Sequence, residues 1–223
     1  MPNDPAPVIA IDGPSASGKG TLAERLAERL GFHYLDSGAL YRLVTLGAVE
    51  AGVNLADEAA LARLVEDLAI DFRHGRPWLQ GHDVSEALRT EALSAATSQV
   101  AALPAVRAAL LERQRSFRRP PGLVAEGRDM GSVVFPDARL KVFLTAGVEA
   151  RAERRYKQLM EKGMYAKMAD VVEELRRRDA RDSSRPVAPL KHYPDAIFLD
   201  TTGLTIDQGV ERILNAWREK AAH

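Results

Sequence analysis

The seven residues Gly13-Pro14-Ser15-Ala16-Ser17-Gly18-Lys19 combine two glycines, small side chains and one terminal cation. Glycines at this spacing let a backbone curl until its N–H groups converge, which makes a concave site for an anion. Lys19 adds a mobile positive charge beside that site. An apolar run, Val8-Ile9-Ala10-Ile11, precedes the loop, and a helical pattern with Leu22, Leu26 and Leu30 on one face follows it. A strand before and a helix after are the setting in which this spacing, a P-loop, binds nucleotide phosphates, with the helix N-terminus adding its positive dipole end. The competing reading is a structural glycine turn, and the strand–loop–helix context argues against it. Gly20 follows the lysine and Thr21 comes next, so no hydroxyl stands directly after Lys19 to ligate magnesium.

Two further segments concentrate charge. Glu126-Gly127-Arg128-Asp129-Met130-Gly131 follows the apolar run Leu123-Val124-Ala125. Taken alone, Arg128 and Asp129 would serve equally well as a local ion pair at a strand end. Residues 151–185 hold 11 Lys and Arg against 7 Asp and Glu, a local excess of four that the rest of the chain cancels. Arg151, Arg154 and Arg155 open this stretch. Arg151 and Arg155 share a helix face on which no acid is evident, which points to an anion as their partner. Lys162-Gly163-Met164 reads as a loop, and the charge returns from Arg176 to Arg185. The same stretch also reads as a solvated face with i,i+4 pairs such as Glu174–Arg178, and Glu173, Glu174 and Arg177 are assigned to solvation.

Short apolar runs alternating with helical patterns supply the scaffold. Strands are expected at Val8–Ile11, Phe32–Leu35, Leu123–Ala125, Leu140–Leu144 and Ala196–Leu199. Gly31 suits the position after the first helix, and Asp36 or Ser37 suits the cap of the next. A helix over 58–69 turns Leu61, Leu64, Val65 and Leu68 inward. Ile70-Asp71-Phe72 and Trp78-Leu79-Gln80 read as a hairpin around His74-Gly75-Arg76-Pro77. Helical patterns resume from Ser85 to Phe117 with a break near Pro104. Thr205 and Gln208 form a capping box before a last helix with Val210, Ile213, Leu214 and Trp217 on its inner stripe. These elements predict an α/β fold, a P-loop NTPase fold with a five-stranded parallel sheet flanked by helices.

Composition excludes several chemistries. The chain has 223 residues and no cysteine, so disulfides, thiolate metal sites and a Cys nucleophile are ruled out. Lys+Arg and Asp+Glu are both 31, which is not the basic balance of a wholesale nucleic-acid binder. No stretch approaches the roughly 20 apolar residues of a membrane span. Met1 to Pro7 lacks the basic and apolar regions of a signal peptide, so a cytoplasmic protein with frayed first residues is expected. The five histidines show no ligand spacing and read as structural or exposed, and Trp78 and Trp217 read as packing residues.

After the P-loop the chain carries, in order, Asp36-Ser37-Gly38-Ala39-Leu40-Tyr41-Arg42, Ser98-Gln99-Val100-Ala101, Val106-Arg107, Glu126-Gly127-Arg128-Asp129-Met130-Gly131, Val134-Phe135-Pro136 and Arg178-Asp179-Ala180-Arg181-Asp182-Ser183-Ser184-Arg185. Gly18-Lys19-Gly20-Thr21 is the form found in nucleoside monophosphate kinases. Together these segments resemble bacterial cytidylate kinases over essentially the whole chain. The resemblance implies transfer of the ATP γ-phosphoryl group to CMP or dCMP, with Mg²⁺. It implies that Gly13, Pro14, Ser15, Ala16, Ser17, Gly18, Lys19, Gly20, Thr21 and Arg155 hold ATP. Lys19, Arg128, Arg178 and Arg181 would neutralise charge during transfer, which needs positioning more than covalent help. Ser37, Arg42, Ser98, Arg107, Arg128, Asp129, Arg178, Asp182 and Arg185 would hold CMP. In that set Asp129 suits the cytosine amino donor, Arg107, Arg185 and Ser98 suit O2 and N3, and Asp182 with Arg178 suits the sugar. No residue is expected to ligate the metal directly; Asp12 and Glu126 are the candidates for its outer shell, and related sequences often have Asp at the place of Glu126.

The resemblance further implies a core of residues 1–36, 101–150 and 184–223, a monophosphate-binding lobe of 37–100 with a small antiparallel insert near 70–83, and a short lid of 151–183. Partners are expected to be small-molecule nucleotides, with no nucleic acid and no membrane, and the protein is expected to be a monomer. Two rivals stay open. One is a kinase of another monophosphate or small acceptor. The other is a nucleotide-hydrolysing switch, but no base-reading Asn-Lys-x-Asp segment is present. Arg107 could be an ordinary exposed helix arginine, and Ser37 and Asp36 simple caps.

Overall fold

The computed structural model describes residues 5–73, 75–161 and 163–221. The N-terminal residues 1–4 expected to fray, His74 of the expected hairpin, Lys162 of the expected loop and His223 lie outside the described residues. The chain forms two compact units, Met1–Leu35 with Phe117–His223, and Asp36–Ser116.

The first unit is built on a five-stranded sheet in the order β2-β6-β1-β7-β8. Its strands are β1 (Val8–Asp12), β2 (His33–Asp36), β6 (Leu123–Gly127), β7 (Leu140–Thr145) and β8 (Ile197–Asp200). β1 pairs in parallel with β6 on one side and β7 on the other, and all five of its residues are buried. A strand covered on both faces reads as a continuous apolar run, which is why Val8 to Ile11 shows no alternation. β1 and β6 are neighbours and parallel, so the loops leaving their carboxyl ends emerge side by side, where ligands of open α/β sheets bind.

Helix α1 (Lys19–Leu30) begins after Gly18 and ends at Gly31, both left-handed at φ 90° and 65°. Its Leu22 and Leu26 join Ile9, Ile11, Val124, Leu144, Val210, Ile213 and Leu214 in one core. The last three residues lie on α8 (Ile206–Ala221), as its inner stripe requires. The expected capping box is formed: Thr205 N–H donates to Gln208 Oε1 at 3.0 Å and Gln208 N–H to Thr205 Oγ1 at 3.2 Å. Trp217 packs edge-on to Phe32 at 5.7 Å, a packing role. Helices α6 (Val148–Glu161) and α7 (Met168–Ser184) pair through Ala152, Leu159, Val171 and Leu175, and Ala16 of the loop after β1 packs against that cluster.

The second unit holds helices α2 (Ser37–Glu50), α3 (Glu58–Asp67), α4 (Glu91–Val100) and α5 (Pro104–Arg115). α2 packs on α4, and α3 on α5. Asp36 is the cap of α2, its carboxylate accepting Ala39 N–H at 3.0 Å. The expected hairpin is the first part of an antiparallel three-stranded sheet, β3 (Ile70–Arg73), β4 (Arg76–Leu79) and β5 (His82–Asp83). β5 has two exposed residues and therefore no apolar pattern to announce it. The helical stretch after Ser85 breaks twice, at a 3₁₀ turn over Ala87–Arg89 and at Pro104, the first residue of α5. This compact unit runs from Asp36 through α5 to Ser116. Among the described residues no helix is long and apolar enough to cross a membrane.

Gly13, the first residue past β1, has no room for a side chain: a Cβ would lie 2.0 Å from the Leu144 carbonyl oxygen. Backbone cannot rotate out of the way as a side chain can. Gly13→Ala should therefore destabilise the chain by about 3 kcal/mol, the upper end for overpacking, read as a fall in the urea midpoint at unchanged slope.

Candidate active site

The loop between β1 and α1 supplies the concave backbone. Ala16 at φ 58° and Gly18 at φ 90° both take the left-handed conformation that a tight reversal requires. Gly13 N–H donates to Gly127 O at 3.3 Å, which ties the loop's start to the end of β6. The first turn of α1 carries no acidic side chain to compete for its N-terminus. Lys19 folds back over this loop, its Nζ 3.5 Å from Pro14 O and 3.4 Å from Glu126 Oε2.

The structure gives Gly20 a physical reason. A Cβ there would sit 3.2 Å from Glu126 Oε1, so the carboxylate lies where a side chain after the lysine would begin. Thr21 is exposed on α1. Glu126 is thus the acid beside Lys19 and Gly20. Asp12, the other outer-shell candidate, is engaged elsewhere. Its Oδ1 accepts Met130 N–H at 2.8 Å and its Oδ2 accepts Gly131 N–H at 2.9 Å. Burial pushes the Asp12 carboxyl up to about 7, against the two amide bonds that favour its charge; Asp129 nearby adds to the rise and Arg128 opposes it.

Those two amides open a single π-helical turn, Met130–Val134, which follows Arg128 and Asp129. Sequence periodicity carries no signal for one such turn. Asp129 is buried, and its backbone oxygen accepts Val133 N–H at 2.9 Å. Arg128 Nε donates to Asp182 Oδ2 at 2.7 Å, and its terminal nitrogens donate to Ser15 Oγ at 2.9 Å and Gly127 O at 3.2 Å. Burial opposes the charge on Arg128, yet Asp182, Glu126 and Asp12 together hold its pKa above the usual value. For Asp182 burial opposes ionisation, and Arg128, Arg178 and Arg185 outweigh it, so its pKa lies below the usual value. The structure thereby brings the P-loop, Lys19, Glu126, Arg128, Arg178, Asp182 and Arg185 into one electrostatic neighbourhood.

Helices α6 and α7 hold the basic stretch. The expectation that Arg151 needs an anion is corrected: Asp179 on α7 accepts from both its terminal nitrogens, at 3.1 and 2.6 Å. The acid is 28 residues away in sequence, so no helix-face argument could find it. Arg155 donates to Gln158 Oε1 at 3.4 Å. Arg154, given no role from sequence, donates to Ser17 O at 3.0 Å and to Thr201 Oγ1 and O at 3.2 and 2.6 Å. On α7 Glu173 and Arg177 form an exposed i,i+4 pair at 2.9 Å. Arg178 and Arg181 are half-buried on the same helix. Arg185 follows it and donates to Ala188 O at 2.6 Å.

The second unit carries the remaining expected residues. Ser37 is buried at the start of α2, and Ser98 is buried near the end of α4, the helix that packs on α2. Arg42 pairs with Asp36 at 2.8 Å. Arg107 is 8% exposed, which is not the ordinary helix arginine that was the alternative. It donates to Ala101 O at 3.2 Å and its guanidinium lies 5.9 Å from the Tyr41 ring centroid.

Asp12 makes a test of the turn after β6. Asp12→Ala leaves two buried amides without their acceptor and should cost about 1–3 kcal/mol for each. The pH dependence has a definite sign. The folded carboxyl titrates near 7 and the unfolded one near 3.8, so its contribution is complete below about pH 4 and is lost as pH rises through about 7. The denaturation midpoint of the wild type should therefore fall from pH 5 to pH 8 relative to Asp12→Asn, which does not titrate.

The sequence pattern of the family described as cytidylate kinase matches residues 9–219. The chain is 58% identical over 216 residues to a cytidylate kinase of Chromobacterium violaceum, covering 97% of each chain. It is 54% identical over 219 residues to one of Nitrosomonas europaea, covering 98% of each. A cytidylate kinase of Burkholderia thailandensis is 58% identical over 98% of this chain and 96% of its own. With that match running from β1 into α8, the chain belongs to the cytidylate kinase family.

Proposed function

We propose that this protein transfers the γ-phosphoryl group of ATP to CMP or dCMP, releasing ADP and CDP or dCDP. The observation that carries the reading is the family match over residues 9–219 on a chain whose P-loop lysine pairs with Glu126 at the end of β6 while Arg128, just past that end, donates to Ser15 of the P-loop. The donor triphosphate lies in the loop of Gly13 to Thr21, with Arg155 assisting. Lys19 moves from Glu126 to the β- and γ-phosphates. Arg128 sits between Ser15 and Asp182, and so stands between the donor loop and the acceptor's sugar contact. The acceptor phosphate is already nucleophilic, so the residues need only align it and spread the developing charge. Lys19, Arg128, Arg178 and Arg181 do so; the planar fork of arginine suits phosphate oxygens.

Asp129 accepts from the cytosine amino group, and Ser37, Ser98, Arg107 and Arg185 read the rest of the base. Asp182 with Arg178 holds the sugar, and Arg42 an acceptor phosphate oxygen. The lobe of 37–100 carries the acceptor, and the lid of 151–183, held at its base by Arg151, Arg154 and Asp179, closes its outer part on the phosphates and excludes water. Glu126 fits a magnesium ion held by phosphates and water, because its carboxylate stands beside Lys19 and Gly20; Asp12, committed to the turn after β6, does not. The ion, when bound, neutralises phosphate charge. The protein works as a cytoplasmic monomer.

A coupled ADP-release assay with Mg-ATP against CMP, dCMP, UMP, AMP and GMP tests this. CMP and dCMP should turn over rapidly. UMP should be slower, since its C4 carbonyl faces the Asp129 carboxylate. Arg128→Ala should lower kcat about 10²- to 10³-fold, the scale of one lost charge stabiliser, and Lys19→Ala should abolish turnover. Preference for another monophosphate, or ATP hydrolysis independent of any acceptor, would overturn the reading.

A further inference from the structure

Two arginines one turn apart on α6 grip the P-loop from behind. Arg151 donates to Ser15 O at 3.2 Å, and Arg154 donates to Ser17 O at 3.0 Å. Each grip is anchored. Arg151 is 5% exposed and donates besides to Ala146 O at 2.9 Å and to both oxygens of Asp179. Arg154 also holds Thr201, whose hydroxyl lies 3.0 Å from Ser17 O and 3.0 Å from Thr145 O. A peptide unit is planar and trans, so its C=O and N–H point in opposite directions. A carbonyl drawn toward α6 turns the following N–H away from α6. The two residues so affected are Ala16 and Gly18, both in the left-handed conformation, and Ala16 adopts it at a cost that glycine avoids.

We propose that Arg151, locked by Asp179, and Arg154, locked by Thr201, are positioning residues for the donor triphosphate. They orient the Ser15–Ala16 and Ser17–Gly18 peptides so that both amides face into the phosphate cradle. Their guanidinium groups serve the loop's carbonyls and not the nucleotide. The pair with Asp179 also fixes where α7 meets the loop, one turn before Asp182 takes Arg128. The ligand assigned to the cradle is the triphosphate of the proposed kinase reaction, and the inference rests on that reading.

The test is a comparison of wild type with Asp179→Asn, Asp179→Glu and Arg151→Lys. Affinity for a non-hydrolysable ATP analogue is measured by calorimetry, and KM for ATP and for CMP with kcat by ADP release. Asp179→Asn turns an acceptor into a donor facing the guanidinium and lets Arg151 swing. Analogue affinity and KM for ATP should weaken about tenfold, equivalent to about 1.4 kcal/mol, while KM for CMP stays within about twofold. Asp179→Glu should restore much of the affinity. Should Asp179→Asn not fold, Arg151→Lys, which keeps the charge but loses the fork, gives the same reading. Unchanged analogue affinity in a folded variant overturns the proposal, as does an equal rise in both KM values. A wild type that binds the analogue yet phosphorylates no CMP would overturn the kinase reading alone, since the calorimetric comparison still decides the role of Asp179.

Discussion

At the carboxyl end of β1, a carboxylate with 4% exposure accepts two consecutive backbone amides, and the next residue passes a carbonyl oxygen with no space for a methyl group. Asp12 ties β1 to the turn that follows β6, and Gly13 presses the loop's start against β7. Two adjacent residues thus register three strand ends against one another. The donor loop and the Arg128 segment leave from those ends. The P-loop starts at Gly13, Glu126 stands one residue before the end of β6, and Arg128 follows it. A shift of one residue in β1 would turn Asp12 away from Met130 and Gly131 and part the two loops.

Around that junction three cations each have an acid within reach. Lys19 has Glu126, Arg128 has Asp182, and Arg151 has Asp179. Such pairs keep the folded chain from accumulating bare positive charge where polyanions are to bind. They also distinguish two kinds of cation. Arg151 is held by two carbonyls and a bidentate carboxylate, which suits an architectural part. Lys19 holds its acid at 3.4 Å and its carbonyl at 3.5 Å, loose contacts that a phosphate can displace.

What the sequence disclosed follows the range of the forces involved. The P-loop, the buried strands and the Thr205–Gln208 box depend on residues within a few positions of one another, so their spacing reveals them. The central strands β1 and β6 were legible because both their faces are covered, whereas β7 alternates and the edge strands β2 and β8 expose part of their residues, so their short apolar runs between helical patterns revealed them instead. β5 and the π-helical turn are too short to have a period. The grip of Arg151 and Arg154 joins positions more than 130 residues apart and ends on backbone carbonyls, which no side-chain pattern encodes. The i,i+3 spacing of Arg151 and Arg154, which sets both on one side of α6 a turn apart, is the available hint.

Gly20 and Glu126 share one small volume, and that imposes an order on change. With the longer acid in place, a side chain at position 20 begins 3.2 Å from Oε1 of Glu126, and the carboxylate must give by a few tenths of an ångström while its Oε2 faces Lys19. Shortening the acid first vacates the space, after which a hydroxyl-bearing residue can enter. The path from this loop to one with Ser or Thr after its lysine is therefore smoother through position 126 before position 20, since the reverse order asks the carboxylate to give by a few tenths of an ångström while its other oxygen holds the lysine.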